Sequence, residues 1–254
     1  MFLELFRNCG MNSTSKAAAS AAEDVTSKIF DLILSSELTV LPSEGELCVQ
    51  LNSSRTTVRA ALQTLQAQGI IIKQPKKKTT IAPKENWDWF DPRVIAQMDR
   101  CYPHEQILHH VGALRLSFEP NAAALCALNC QMGDLVEIER GCTLMKEGVA
   151  ENAPHKFEEG DILFHRSIFI GTKNPFFMGL QSLIINTSIL SISSTLDDKP
   201  LESSAHSLDK HLALFSAIRF KRPDEARTVM RTILLDSLNK IFPDKLPDYV
   251  DFIK

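Results

Sequence analysis

The stretch from Leu41 to Ile70 constrains what this chain folds into more than any other. It reads as two short helices joined by a tight turn. Leu47 and Leu51 give the first helix an apolar face, and Val58, Leu62 and Leu65 give the second its own at helical spacing. Ser53 or Ser54 can cap the second helix, because a serine hydroxyl accepts a hydrogen bond from a free first-turn N–H. Gly69 suits its C-terminal end. The polar side of the second helix then carries Arg55, Thr56, Thr57 and Arg59 within its first two turns. A helix-turn-helix presents its base- and phosphate-contacting groups there.

Charge follows the same pattern. Between Gln50 and Lys84 there is no Asp or Glu, while Arg55, Arg59, Lys73, Lys76, Lys77, Lys78 and Lys84 all fall in that window. The chain as a whole is slightly acidic, with 28 basic against 31 acidic residues. The positive charge is therefore local, as expected of a surface that faces phosphate. A solvated basic face on an ordinary helical hairpin is the plainer alternative. Two arginines, the hydroxyls and a capping serine in one register favour DNA.

Leu41-Pro-Ser-Glu44, Leu47, Ser54-Arg-Thr-Thr-Val-Arg59, Ala61-Leu62 and Gly69 together resemble the winged helix-turn-helix of GntR-type transcription regulators, over roughly residues 22 to 83. The resemblance implies that Ser54, Arg55, Thr56, Thr57 and Arg59 contact DNA in the major groove. Two departures stand out. Gly45 occupies a position where the family often has Arg or Lys, which removes one usual DNA contact. The wing tip reads Gln74-Pro-Lys-Lys-Lys78 in place of glycine, so Lys76, Lys77 and Lys78 are expected to grip phosphate.

Around this stretch, Val25, Ile29, Leu32 and Ile33 share one side of a helix from Glu23 to Ser36. Residues 1–20 form an extension expected to be poorly ordered, with Met11 as an alternative start. Ile70–Lys73 and Thr79–Ala82 read as the two wing strands. Residues 21–83 make the winged domain, and 84–92, with both tryptophans, a docked linker that resembles that of sugar-acid-responsive GntR regulators. Residues 93–254 carry helical spacing in segments broken at Pro103, Gly148–Pro154, Asn174-Pro175, Asp197–Pro200 and Pro223. Leu114-Arg-Leu-Ser-Phe-Glu-Pro120, Asp161-x-x-x-His165, Lys210–Ile218 and Asp224-x-Ala226 resemble the FCD effector domain of the FadR subgroup. The expected fold is mainly α: an N-terminal winged helix-turn-helix followed by a C-terminal all-α helical bundle, FCD-like.

No run approaches the ~20 apolar residues of a membrane span. The apolar opening Met1–Phe6 is interrupted at Glu4 and followed by Arg7, unlike a secretory signal. The six cysteines (Cys9, Cys48, Cys101, Cys126, Cys130, Cys142) include no C-x-x-C pair and read as small buried residues in a reducing cytoplasm.

Asp161 and His165, four apart, share a helix face and can begin a divalent metal site. In FCD domains such a pair, a His on a later helix (here His211) and a fourth ligand hold the metal. Family spacing puts the fourth ligand near Ile233, where no His stands. One divalent ion, Zn, Mn or Ni, is the implied cofactor, with water or an organic acid completing its shell. Arg115 lies among Leu114, Leu116 and Phe118 and needs an anionic partner if buried. That partner is an internal carboxylate, Glu119 or Asp161, or the carboxylate of an effector, which the resemblance favours. Glu119, before Pro120, is expected to fix the helix. His109-His110 point in different directions, and Asn174-Pro175 reads as a helix cap.

The sequence therefore reads as a cytoplasmic, homodimeric regulator. It binds a double-stranded DNA operator, acts as a repressor and responds to a small organic acid of the sugar-acid kind. Two alternatives stand beside it: a metal-dependent hydrolase using Asp161, His165 and His211, and a protein-interaction module that does not bind DNA. H-E-x-x-H, G-x-S-x-G and P-loop motifs are missing, which argues against an enzyme.

Overall fold

The computed structural model describes residues 13–35, 38–74, 77–95, 97–181, 183, 185 and 200–253. They form two compact units that divide between Val94 and Ile95.

In the first unit, α1 spans Ser13–Ser35, α2 Glu44–Gln50 and α3 Arg55–Ala67. Helix α1 starts well before Glu23, the start predicted from apolar spacing. Ala17 to Ala19, Ala21 and Ala22 carry no periodic signal, yet alanine is the best helix former. Residues 1–12 lie outside the described residues. Val25, Ile29, Phe30 and Ile33 of α1 are buried and pack against α3, which buries Val58, Leu62 and Leu65. Phe30 takes the place predicted for Leu32, which is only half-buried.

Ser43 and Glu46 form a capping box at the start of α2, with Ser43 N–H donating to Glu46 Oε2 at 2.8 Å. The turn passes through Asn52 at φ 46°. Ser54 caps α3 by accepting the Thr57 N–H at 3.1 Å. Gly69 follows α3 at φ 69°, and a Cβ there would come 2.3 Å from the Asn86 carbonyl oxygen. The wing strands are shorter than predicted: β1 (Ile71–Ile72) pairs antiparallel with β2 (Thr80–Ile81), and Val40 bridges to Thr80. The linker is docked, as expected. Trp87 is buried, stacks on Trp89, packs edge-on to Phe30 and donates from Nε1 to the Ala82 carbonyl at 3.1 Å.

Two short helical turns follow, α4 (Pro92–Ile95) and α5 (Met98–Cys101). The second unit continues with α6 (His104–Asn129), α7 (Met132–Ala150), α8 (Pro154–Gly171), α9 (Pro175–Gly179), α10 (Pro200–Arg219) and α11 (Pro223–Ile241). Asn174 caps α9 through its side chain, as its sequence suggests. Residues 186–199, which hold most of the break read at Asp197–Pro200, lie outside the described residues. A final 3-10 turn, Asp248–Asp251, goes unsignalled by periodicity. Arg231 of α11 holds it by donating to the carbonyls of Val250 and Ile253.

Helix α7 lies along α8, α6 against α11, and α10 against α11 and α7. Leu116, Ile138, Met145, Phe164, Phe169, Leu214 and Met230 form their common core. At the α7–α8 crossing the two backbones touch. A Cβ on Gly160 would lie 2.6 Å from Met145 N and 2.7 Å from the Gly141 carbonyl oxygen. Gly160→Ala is expected to lower stability by about 1–3 kcal/mol, because overpacking outweighs the gain in helix propensity. A lower urea midpoint with unchanged slope checks it. Among the described residues no helix is long and apolar enough to cross a membrane.

Candidate functional sites

The first candidate is the basic face of the helix-turn-helix. Arg55, Thr56 and Arg59 are exposed at the start of α3, and Lys77 and Lys78 are exposed on the wing; Lys76 lies outside the described residues. Ser54 and Thr57 are drawn into the cap, with their hydroxyl oxygens 2.8 Å apart. Glu44 is a participant that the charge pattern does not single out. Its carboxylate pairs with Arg59 Nη2 at 3.2 Å and Lys73 Nζ at 2.5 Å. The hydrogen bonds from Lys73 and Arg59 hold it below the usual carboxylate range. Gly45 is exposed and faces open space.

The second candidate lies in the helical unit. Asp161 and His165 of α8 and His211 of α10 are all buried, and their ligand atoms lie within 4.8 Å of one another. His211 Nδ1 faces the Ser207 carbonyl at 2.8 Å, an acceptor only, so this nitrogen carries the proton. His165 Nδ1 faces Glu119 Oε2 at 2.5 Å. Burial would raise the Glu119 carboxyl, but the Arg115 charge and the hydrogen bonds from His165 and Arg115 bring it down to about 2. Glu119 is thus an anion accepting the His165 Nδ1–H. Both imidazoles then turn an Nε2 lone pair inward. These two nitrogens are 3.4 Å apart, and Asp161 Oδ1 lies 3.1 Å from the His211 nitrogen and 3.9 Å from the His165 nitrogen. Burial would also raise Asp161, but His165, His211 and Arg115 hold it well below the ordinary range.

Three acceptors converging in a buried spot repel one another unless something positive sits between them. Two atoms each 2.0–2.1 Å from one ion stand about 2.8–3.4 Å apart at right-angle to tetrahedral geometry; the 3.1 and 3.4 Å separations fall in that range, and the 3.9 Å one, from His165 to Asp161, is wider. The donor set, two imidazoles and a carboxylate, suits Zn, Mn or Ni. The residues fit a divalent cation.

Arg115 has the internal carboxylate that the sequence offers as one of its two partners. Its Nε donates to Glu119 Oε1 at 2.5 Å, so an internal carboxylate already partners it. Glu119 in turn does more than fix the helix. It bridges Arg115 and His165, orienting the imidazole as outer partners of metal ligands do. Arg115 nevertheless lines the same cavity as Asp161, His165 and His211, a space of about 70 Å³. Ile233 also lines it, so the position of the family's fourth ligand is apolar. Ser204, Ser207 and Lys210 of α10, with Asp236, Ser237 and Lys240 of α11, also line it. Lys210 pairs with Asp236, and the largely exposed His206 reaches the same carboxylate at 3.8 Å.

A winged helix-turn-helix followed in one chain by a helical unit with a buried polar cavity is the build of a ligand-responsive regulator. The chain belongs to the GntR family of bacterial regulatory proteins, matching that family over residues 20–81 and the FCD domain over residues 110–236. It is 29% identical over 199 residues to an uncharacterized HTH-type transcriptional regulator of Escherichia coli, YieP, covering 77% of this chain and 83% of that one. It is 26% identical over 203 residues to the E. coli galactonate operon transcriptional repressor, covering 79% and 86%. A solved structure of Lar, described as controlling the Listeria monocytogenes agr system, matches with TM-score 0.56 at 14% identity, covering 94% of this chain and 100% of that one. That likeness concerns the fold alone. The domains and relatives are those of transcriptional regulators and not of enzymes, which sets aside the hydrolase alternative.

Proposed function

We propose that this chain is an operator-binding repressor whose helical unit senses a small hydroxylated acid, a sugar acid, with the help of one divalent cation. The observation that carries the reading is the convergence of Asp161, His165 and His211 beside Arg115 in one serine-lined cavity. Glu119 and the Ser207 carbonyl fix the two imidazoles with Nε2 inward. A bound cation supplies a Lewis-acid anchor for a carboxylate. The Arg115 guanidinium adds a planar cationic partner. Hydroxyls of Ser204, Ser207 and Ser237 and the Asp236 carboxylate match a polyol chain. The galactonate named for the relative is a sugar acid of this kind.

On the DNA side, Arg55, Thr56 and Arg59 read base edges, Ser54 and Thr57 hold the first turn, and Lys77 and Lys78, together with Lys76, meet phosphate. Two copies bind paired half-sites as a homodimer in the cytoplasm. The acid favours one state of the chain over another and so changes operator affinity.

Thermal-shift screening of sugar acids and small hydroxy acids, each with and without Zn, Mn or Ni, tests the reading. A rise in melting temperature that needs both acid and cation is expected; a response only to long acyl chains overturns it. Glu44→Gln is expected to raise DNA affinity a few-fold, because Arg59 and Lys73 lose their competing carboxylate. The salt slope should steepen by about one phosphate contact, read by fluorescence anisotropy at several salt concentrations.

A further inference from the structure

The cavity of the helical unit changes character from one end to the other. Arg115, Asp161, His165 and His211 are more than nine-tenths buried. Lys210 and Asp236 are partly exposed, and His206 and Lys240 are exposed. On α11, Ile233, Ser237 and Lys240 line the cavity at helical spacing, a stripe about 10 Å long. Ile233 is buried, so the stripe runs from the closed end to the open one.

Positive charge is placed at both ends. At the closed end Glu119 meets Arg115, and Asp161 offsets one of the two charges that a divalent cation brings. At the open end, among the described residues that line the cavity, two lysines share the space with one carboxylate. Lys210 pairs with that carboxylate, Asp236. Burial and then the Lys210 charge hold the Lys240 ammonium below the usual lysine range, so the two ammonium groups feel each other. An anion brought between them relieves that repulsion. Charge complementarity therefore asks for one anionic group at each end.

We propose that the effector is a sugar diacid, a hydroxylated chain with one carboxylate at the cation and Arg115 and a second at Lys240 and Lys210. This rests on the sugar-acid reading above and narrows it. A monoacid of the same length presents only a hydroxyl to the lysines. Between the two ends the lining is neutral and polar, with the hydroxyls of Ser207 and Ser237 to meet those of the chain. A terminal phosphate would bring nearly two negative charges to an end where the lining lysines outnumber the carboxylate by one.

Calorimetric titration of the manganese-loaded full chain tests this with acids matched on two skeletons: gluconate, glucarate and 6-phosphogluconate, then galactonate and galactarate. A diacid is expected to bind roughly 10-fold more tightly than its own monoacid, the worth of one charged hydrogen bond. Lys240→Met is expected to bring that ratio near one, and Lys240→Arg, which keeps the charge, to restore most of it. The acid chelates manganese equally whichever protein is present, so the change in ratio reads the side chain. Monoacids that bind as tightly as diacids, a ratio that Lys240→Met leaves intact, or a phosphate that binds best would each overturn the diacid and leave the sugar-acid reading standing. Binding of none of the five acids would sink that reading and the diacid with it.

Discussion

Replacing Arg55 and Arg59 together by alanine is expected to weaken operator binding by roughly 30-fold or more, since an arginine on a base edge contributes about 1–3 kcal/mol. The expected cost to folding is small. Both side chains are exposed, and the only pairing of Arg59 with a carboxylate among the described residues is the surface contact with Glu44, worth about 1 kcal/mol at most. The variant should therefore keep its melting temperature while losing the operator. Gel-shift titration against DNA upstream of the chain's own coding region, at fixed salt, makes the measurement. A double variant that binds like wild type would remove α3 as the reading helix.

The second large effect concerns Glu119. Glu119→Ala leaves Arg115 buried without its carboxylate, and breaking a buried pair in this way costs about 3–5 kcal/mol. Urea unfolding of the full chain reads this loss. Glu119→Gln keeps the shape and can still accept from one partner, so it isolates the other role. Without the carboxylate, His165 loses the anion that fixes its Nδ1–H, and cation affinity is expected to fall roughly 10- to 100-fold. Titration of zinc against a competing chelator checks it. A glutamine variant that holds zinc as tightly as wild type would leave the Glu119–His165 contact with a packing role only.

The parts of this molecule legible in the sequence are those carried by local spacing. Ser54, Val58, Leu62, Leu65 and Gly69 specify a capped amphipathic helix, and α3 is that helix with that cap and that stop. Asp161 and His165, four apart, declare a shared face, and α8 supplies it. Family spacing then points to His211 and to the apolar Ile233, and both line the same cavity. Less visible is anything that depends on two distant segments meeting. Glu119 precedes His165 by several helical turns of sequence, and only the packing of α6 on α8 brings carboxylate to imidazole. Without that contact, Arg115 looks free for a ligand. Glu44 similarly sits before the acid-free window and reaches Arg59 and Lys73 only once the hairpin folds. Two further local signals stand in the sequence: Ser43-x-x-Glu46 is a capping-box signature, and the alanines of α1 favour a longer helix.

The contact between Gly141 and Gly160 bears on how the cavity can respond to a ligand. With main chain touching main chain, α7 and α8 cannot slide past each other without a steric clash, so they travel as one plank. Asp161 and His165 ride on that plank as a fixed jaw. His211, the serines and the two lysines ride on α10 and α11, the other jaw, which is seated on α7 and α6.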